Sequence, residues 1–195
     1  MNFLAHCFLA QPTPFSLYGN LLGDFIGGAS LDKLPSEVLK GLENHKLVDK
    51  FTDSHASLQP LKQLMSKDRR RFTGIISDVV FDYFLIKHWR QFNQQELHFF
   101  VNDVYDKIQQ VLPMMHPRMQ RSMQFMLTEN GLMVNQDLIG VGKTLDRLSN
   151  RIRFENKLRG GIEEIEQHYD SFESAFLWLL PELINAVESA KIEKN

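Results

Sequence analysis

Cysteine is nearly absent from this 195-residue chain: Cys7 stands alone, so no internal disulfide can form and stability must come from a packed core. A single thiol among apolar neighbours reads as a small buried hydrophobe rather than a nucleophile, and it fits a reducing, cytoplasmic setting. Excess charge of one sign is also lacking. The 22 Lys and Arg nearly balance the 24 Asp and Glu, giving a net charge of −2. That balance argues against an obligate nucleic-acid binder and leaves any charged partner to be met by a local patch. No apolar run is long enough to span a bilayer. The apolar start, Met1 to Cys7, has no basic residue before it and is cut off by Pro12 and Pro14, so neither export nor membrane insertion is expected. Strictly alternating Val, Ile and Thr between tight-turn dipeptides are missing, which removes the signal for strands. There is no GxxxxGK[ST] loop, GxSxG elbow, HExxH helix or paired-cysteine motif. Gly140-Val141-Gly142-Lys143-Thr144 imitates a phosphate loop only superficially, without the preceding strand or the spacing. Nothing in the composition fixes an oligomeric state.

What the chain does have is apolar residues at helical spacing almost throughout, 43% of the total. The expected fold class is all-α, a single-domain helical bundle over residues 1–195 with a frayed end from Lys191 to Asn195. Helices are expected at about Asn2–Ala10, Ser16–Ile26, Pro35 to Thr52–His55, Leu58–Met65, Phe72–Trp89, Gln95–Leu112, Pro117–Leu127, Asp137–Leu158 and Ile162–Val187. Breaks are expected at Pro12 to Pro14, Gly27-Gly28, Pro113, Asn130-Gly131 and Gly160-Gly161. The 8 Met and 15 Phe suit a core, with some available to line a slot for a ligand.

Chemistry is suggested by polar residues set where a core should be. In Ile75 to Ile86 the helix is apolar nearly all round, yet Asp78 and Asp82 lie four residues apart and share a face. Two buried carboxylates need a cation, a proton or basic partners. Either a divalent metal meets that need, or Asp82 pairs with an arginine and Asp78 stays alone inside. His45, Asp49 and Asp53 follow at four-residue steps along one helical stripe, a spacing that suits a metal bound by imidazole and carboxylate. The alternative is surface polarity around Lys46 and Lys50, with Thr52-Asp53-Ser54 as a cap. His6 and Asp24 are likewise embedded in apolar segments. His6 reads equally as a hydrogen-bonded core histidine. Asp24 follows Gly19 and Gly23, a turn apart, where a backbone or ligand can approach closely.

These residues fall in blocks that resemble the acyl carrier protein phosphodiesterase family. The blocks are Met1-Asn2-Phe3-Leu4-Ala5-His6, Gly19-Asn20-Leu21-Leu22-Gly23-Asp24-Phe25, Phe51-Thr52-Asp53-Ser54-His55, and Arg70-Arg71 through Gly74-Ile75, Asp78-Val79, Phe81-Asp82 and Phe84-Leu85 to Trp89. A weaker likeness continues through Leu145 to Arg151 and Phe176 to Leu183. The resemblance implies an all-helical fold distantly like the HD-type metal phosphohydrolases. It also implies Mn²⁺ or, second, Mg²⁺ as cofactor, and holo acyl carrier protein as substrate, giving apo carrier protein and 4′-phosphopantetheine. Two positions depart from the family pattern: Lys46 stands where the family has arginine, giving up bidentate phosphate binding, and Tyr83 stands where it has histidine, a potential ligand or proton carrier.

On that footing His6, Asp24, Asp53, Asp78 and Asp82 are the expected metal ligands, and His55, His45 and Asp53 the expected proton-transfer groups, with Asp49 in reserve. An acidic carrier protein calls for a basic face, for which Arg69, Arg70, Arg71, Lys143, Arg147 and Arg151 are the candidates, with Lys67, Arg153, Lys157 and Arg159 alongside. The same cations read equally as a solvated helix face. Two other functions fit the same residues: an HD-like phosphohydrolase of a small nucleotide or phosphate ester, and a non-catalytic helical module that binds carrier protein.

Overall fold

The computed structural model describes residues 1–27 and 29–194; Gly28 and Asn195 lie outside it, so the second glycine of the expected break and the last residue are not placed. The described residues are helical, with no strand among them, and the fold is all-α as the spacing predicts.

The first two helices, α1 (Phe3–Leu9) and α2 (Pro14–Leu22), are separated by the two prolines. Thr13 caps α2 by accepting from the Ser16 N–H, and Pro14 at the first helical position gives up an N–H that would have had no partner. A single 3₁₀ turn, Gly23–Phe25, extends α2 and carries Asp24. The long α3 (Ser36–Ser54) runs beside α2, and this pair shares the most extensive helix contact in the protein. Glycine is the reason. A Cβ on Gly19 would lie 2.1 Å from the Val38 carbonyl oxygen and 2.7 Å from the Gly41 Cα, so the two helices touch backbone to backbone.

After α4 (Leu58–Leu64) and a basic turn, α5 (Thr73–Lys87) passes through the centre. Its Ile76, Val80, Phe81, Phe84 and Leu85 are buried completely, against α1, α4, α9 (Leu138–Arg151) and α11 (Tyr169–Ala190). Phe81 and Phe84 meet Phe176 of α11 at ring separations of 5.7 and 5.9 Å. Each such ring contributes about 1.5–3 kcal/mol by leaving water. The remaining helices are α6 (Trp89–Phe92), α7 (Leu97–Val111), α8 (Pro117–Thr128) and α10 (Ile162–Gln167). Asn130 takes the left-handed conformation at its expected break (φ 52°), and Gly160 does so at another (φ 73°). No helix among the described residues is long and apolar enough to cross a membrane.

Three expected boundaries differ. The helix expected over Asp137–Leu158 ends at Arg151, because the carbonyls of Glu155, Lys157 and Arg159 are taken by the guanidiniums of Arg71 and Arg69 instead of helical N–H groups. Asn156 adds a competing set of local bonds: its amide donates to the Ser149 carbonyl, and its Oδ1 accepts from the Ser149 hydroxyl and the Leu158 N–H. The last expected helix is broken at His168 into α10 and α11. Lys191 to Lys194 fold back rather than fray: Lys191 turns left-handed, and the Glu193 carboxylate accepts from the Asn20 amide at 3.3 Å. A cavity of about 240 Å³ lies under this tail, walled by Phe8, Asn44, Phe92, Ile184 and Val187.

Candidate metal centre

The Gly19–Gly41 contact sets the register of α2 on α3, and one turn further along each helix Gly23 meets His45. A Cβ on Gly23 would sit 2.0 Å from the His45 ring, so only glycine leaves a seat for this imidazole. The buried ring is then fixed by its Nδ1, 2.7 Å from the Asn20 carbonyl oxygen. A carbonyl only accepts, so Nδ1 carries the proton and donates it. Nε2 is thereby turned toward Asp49, one turn along α3, at 2.9 Å from Oδ2.

From the other side α1 brings in His6. Its ring stacks on that of His45, centroids 4.0 Å apart, and its Nε2 stands 3.2 Å from Asp49 Oδ1 without the alignment of a hydrogen bond. His6 is 1% exposed, and neither ring nitrogen has a hydrogen-bond partner. Such an orphaned polar side chain is costly unless something else is bound there. One ligand atom from each of His6, His45 and Asp49 falls within 4.8 Å of the others.

Charge at the centre follows from these contacts. Burial pushes His6 down to about 4, against the pull of Asp49, which leaves a neutral imidazole with a free lone pair. Burial alone would lower His45 too, but its bond to Asp49, the charges of Asp49 and Asp24 and the Asn20 carbonyl together raise it. Asp49 would be raised by burial, yet the two imidazoles and the Met1 ammonium hold it well below the usual carboxylate range. With the Nδ1–H of His45 committed to Asn20, a lone pair on Nε2 and a carboxylate oxygen cannot face each other at 2.9 Å unless a proton or a cation lies between them.

The other carboxylates surround this core. Asp78 of α5 accepts from the buried Met1 ammonium at 2.8 Å, and Asp49 stands 3.5 Å from the same ammonium, so a positive charge already occupies the space where these acids converge. Burial raises the Asp78 carboxyl, with Asp49 and Asp53 adding to the effect and the ammonium opposing it. Asp24 is exposed at the rim. Lost solvation on its inner side and the charges of Asp49 and Asp78 lift it above the ordinary range, against His45 and the ammonium. Asp53 is exposed at the end of α3, with Oδ1 4.0 Å from where a Cβ on Gly74 would be. Asp82 lies deeper. Its two oxygens accept from the N–H groups of Leu4 (3.2 Å) and Ala5 (3.1 Å), and burial pushes its carboxyl up to about 7. It caps the helix that carries His6.

Not every expected residue joins the cluster. His55 ends α3 with Nδ1 2.8 Å from the Ser57 hydroxyl and Nε2 3.2 Å from Glu182, between the rings of Phe51 and Trp178. Tyr83 shares a hydrogen bond with Tyr169 of α11. Lys46 lies on the exposed side of α3 with Glu43. Of the basic residues, Arg69 is spent on the Lys157 and Arg159 carbonyls and on Glu164, Arg71 on the Glu155 carbonyl and Arg70 on that of Met65. Lys143, Arg147 and Arg151 lie exposed along α9 and form no ion pair among the described residues. Asn20 was not singled out from the sequence, though its place between Gly19 and Gly23 was the available signal.

Fold and site together define an all-helical protein whose first half gathers imidazole and carboxylate groups suited to a divalent cation. The sequence profile of the family described as "Acyl carrier protein phosphodiesterase" matches residues 1–183. A protein of that name from Klebsiella pneumoniae (strain 342) is 30% identical over 193 residues, covering 98% of this chain and all of the relative. Those from Enterobacter sp. (strain 638) and Salmonella agona (strain SL483) are each 30% identical over 185 residues, covering 94% of this chain and 96% of theirs. No solved structure matches the chain. The chain belongs to the acyl carrier protein phosphodiesterase family.

Proposed function

We propose that this protein is a divalent-metal-dependent phosphodiesterase that hydrolyses the ester joining 4′-phosphopantetheine to the serine of holo acyl carrier protein, leaving the apo form. The substrate class comes from the names its relatives carry. The metal dependence rests chiefly on one observation: His6 is buried with neither ring nitrogen in an aligned hydrogen bond, its Nε2 3.2 Å from Asp49 beside a His45 whose proton is fixed on its far side.

His6, His45 and Asp49 would hold the ion, with Asp78 and Asp24 the next carboxylates within the same charge cluster. Mixed nitrogen and oxygen donors favour Mn²⁺ over Mg²⁺. A bound divalent ion supplies Lewis acidity to the phosphoryl oxygens and makes water a stronger acid at neutral pH. The protein's own part is positioning and proton transfer. Gly23 and Asn20 orient His45, and Asp82 holds α1 so that His6 points inward. Asp24, open to solvent at the rim of the cluster, is the carboxylate an incoming substrate would meet and the candidate to relay protons there.

Incubating the purified protein and Mn²⁺ with holo acyl carrier protein should convert it to the apo mass, and EDTA should stop the reaction. An unchanged mass under Mn²⁺, Mg²⁺ and Zn²⁺ alike would rule the proposal out.

A further inference from the structure

The segment between α9 and α10 presents an exposed aromatic side chain beside the start of the site-bearing helix α5. Phe154 is 60% exposed. Its ring stacks on the buried Phe72 (6.4 Å, 17° between planes), and the Arg71 guanidinium lies 4.6 Å from the Phe72 centroid and 5.7 Å from that of Phe154. The backbone beneath is pinned: Arg71 donates to the Glu155 carbonyl at 3.0 Å, and Arg69 to those of Lys157 (2.6 Å) and Arg159 (2.9 Å). Phe154 is therefore held out to solvent by a prepared support, where a free loop would fold it inward.

Around it opens a cleft of about 560 Å³ lined by Lys67, Asp68, Arg71, Phe154, Glu155 and Lys157. Lys67 has no ion pair among the described residues, and Lys157 meets only Glu155, at 3.7 Å with both side chains open to water. Arg71 lies in the 3₁₀ turn Arg70–Phe72 that leads into α5, seven residues before Asp78. The exposed Ile75 lies between them, one turn before Asp78.

We infer that this cleft is the docking surface for the acidic carrier protein, with Phe154 as the apolar anchor and Lys67 and Lys157 as its cationic rim; the inference rests on the function proposed above. An aromatic anchor ringed by cations fits an acidic protein surface with an apolar spot. Nucleic acid fits worse, since Asp68 and Glu155 stand in the cleft and the chain as a whole is not basic. The assignment also separates two sets of cations. Arg69 and Arg71 build the support, and the α9 stripe of Lys143, Arg147 and Arg151 is not part of the contact.

The test is binding of fluorescently labelled holo acyl carrier protein, followed by anisotropy at low salt, to the wild-type protein, to Phe154→Ala, to Lys157→Glu, and to a triple Lys143→Glu, Arg147→Glu, Arg151→Glu variant. Phe154→Ala and Lys157→Glu should each raise Kd about tenfold or more with unchanged melting temperature, and the triple variant should stay near wild type. Both side chains are exposed, so loss of fold does not confuse the result. Unchanged Kd in Phe154→Ala and Lys157→Glu, or weakening only in the triple variant, overturns the docking surface. Because binding is read without turnover, tight binding by a protein that releases no phosphopantetheine would sink the catalytic reading and leave the surface standing. Turnover whose KM ignores Phe154 and Lys157 would do the reverse, and absence of both binding and turnover would overturn both.

Discussion

A single carboxylate shows how far residue type and spacing lead. Asp78 and Asp82 share a face of an apolar helix, and spacing alone makes them look like twin ligands. Their partners tell them apart: Asp78 accepts from the Met1 ammonium beside the candidate metal centre, and Asp82 accepts two N–H groups at the start of α1. That partner is 77 residues away in sequence, so no local pattern could reveal it. The spacing of His45 and Asp49 is legible because both sit on one helix, though it ranks Asp49 only in reserve; His6 is expected as a ligand, but its place beside them requires the tertiary fold. The cap assignment is testable. Asp82→Asn keeps an acceptor for α1 and should retain metal binding by calorimetry, whereas Asp82→Leu should weaken it and cost about 0.5–2 kcal/mol of stability. Loss of metal binding in Asp82→Asn with the fold intact would make Asp82 a ligand instead.

At the scale of elements, the helices that were easiest to read are those whose ends are marked locally. Pro14, Pro117 and Asn130 punctuate the chain where the structure does, and α3 runs over Ser36–Ser54 much as its periodicity predicts. The stretch after Arg151 was misread because its carbonyls are satisfied by arginines some 84 to 90 residues earlier. Arg69 also meets Glu164 at 2.9 Å, together with the Ser66 N–H and hydroxyl, tying α10 to the turn before α5. Replacing it leaves three acceptors short of a donor. Arg69→Ala should therefore cost about 1–3 kcal/mol and expose the 152–159 segment to limited proteolysis, with cleavage mapped by mass spectrometry. A digestion pattern identical to wild type would show that the segment holds its shape without that arginine.

For the whole molecule, the cluster couples stability to protons and, under the proposed function, to metal. His45 is raised above its ordinary 6.5, so its contribution is present below that value and is lost as pH rises through the raised one. Asp82, lifted to about 7 from 3.8, acts in the same sense, since the folded form keeps its proton longer than the unfolded chain. His6, lowered to about 4, opposes them only below 6.5. The metal-free protein should thus melt at progressively lower temperature as pH rises above about 6.5, through the raised range of His45, as read by circular dichroism in EDTA. Adding Mn²⁺ should reverse that trend if the proposed function holds, because an ion bound to the folded form would replace the shared proton. A melting temperature indifferent to both pH and Mn²⁺ would contradict the coupling.

The close seating of Gly19 on Gly41 has a further result. Two bare backbones in contact leave almost no slack along their axes, so the helix pair works as a mechanical stop that gauges the distance from Asp24 to His45 before any ion or substrate arrives. Sliding either helix by a turn would drive the imidazole out of its glycine seat. The tolerance of the candidate metal centre is therefore inherited from two missing side chains, and a larger residue at either position should loosen it even where the bundle still assembles.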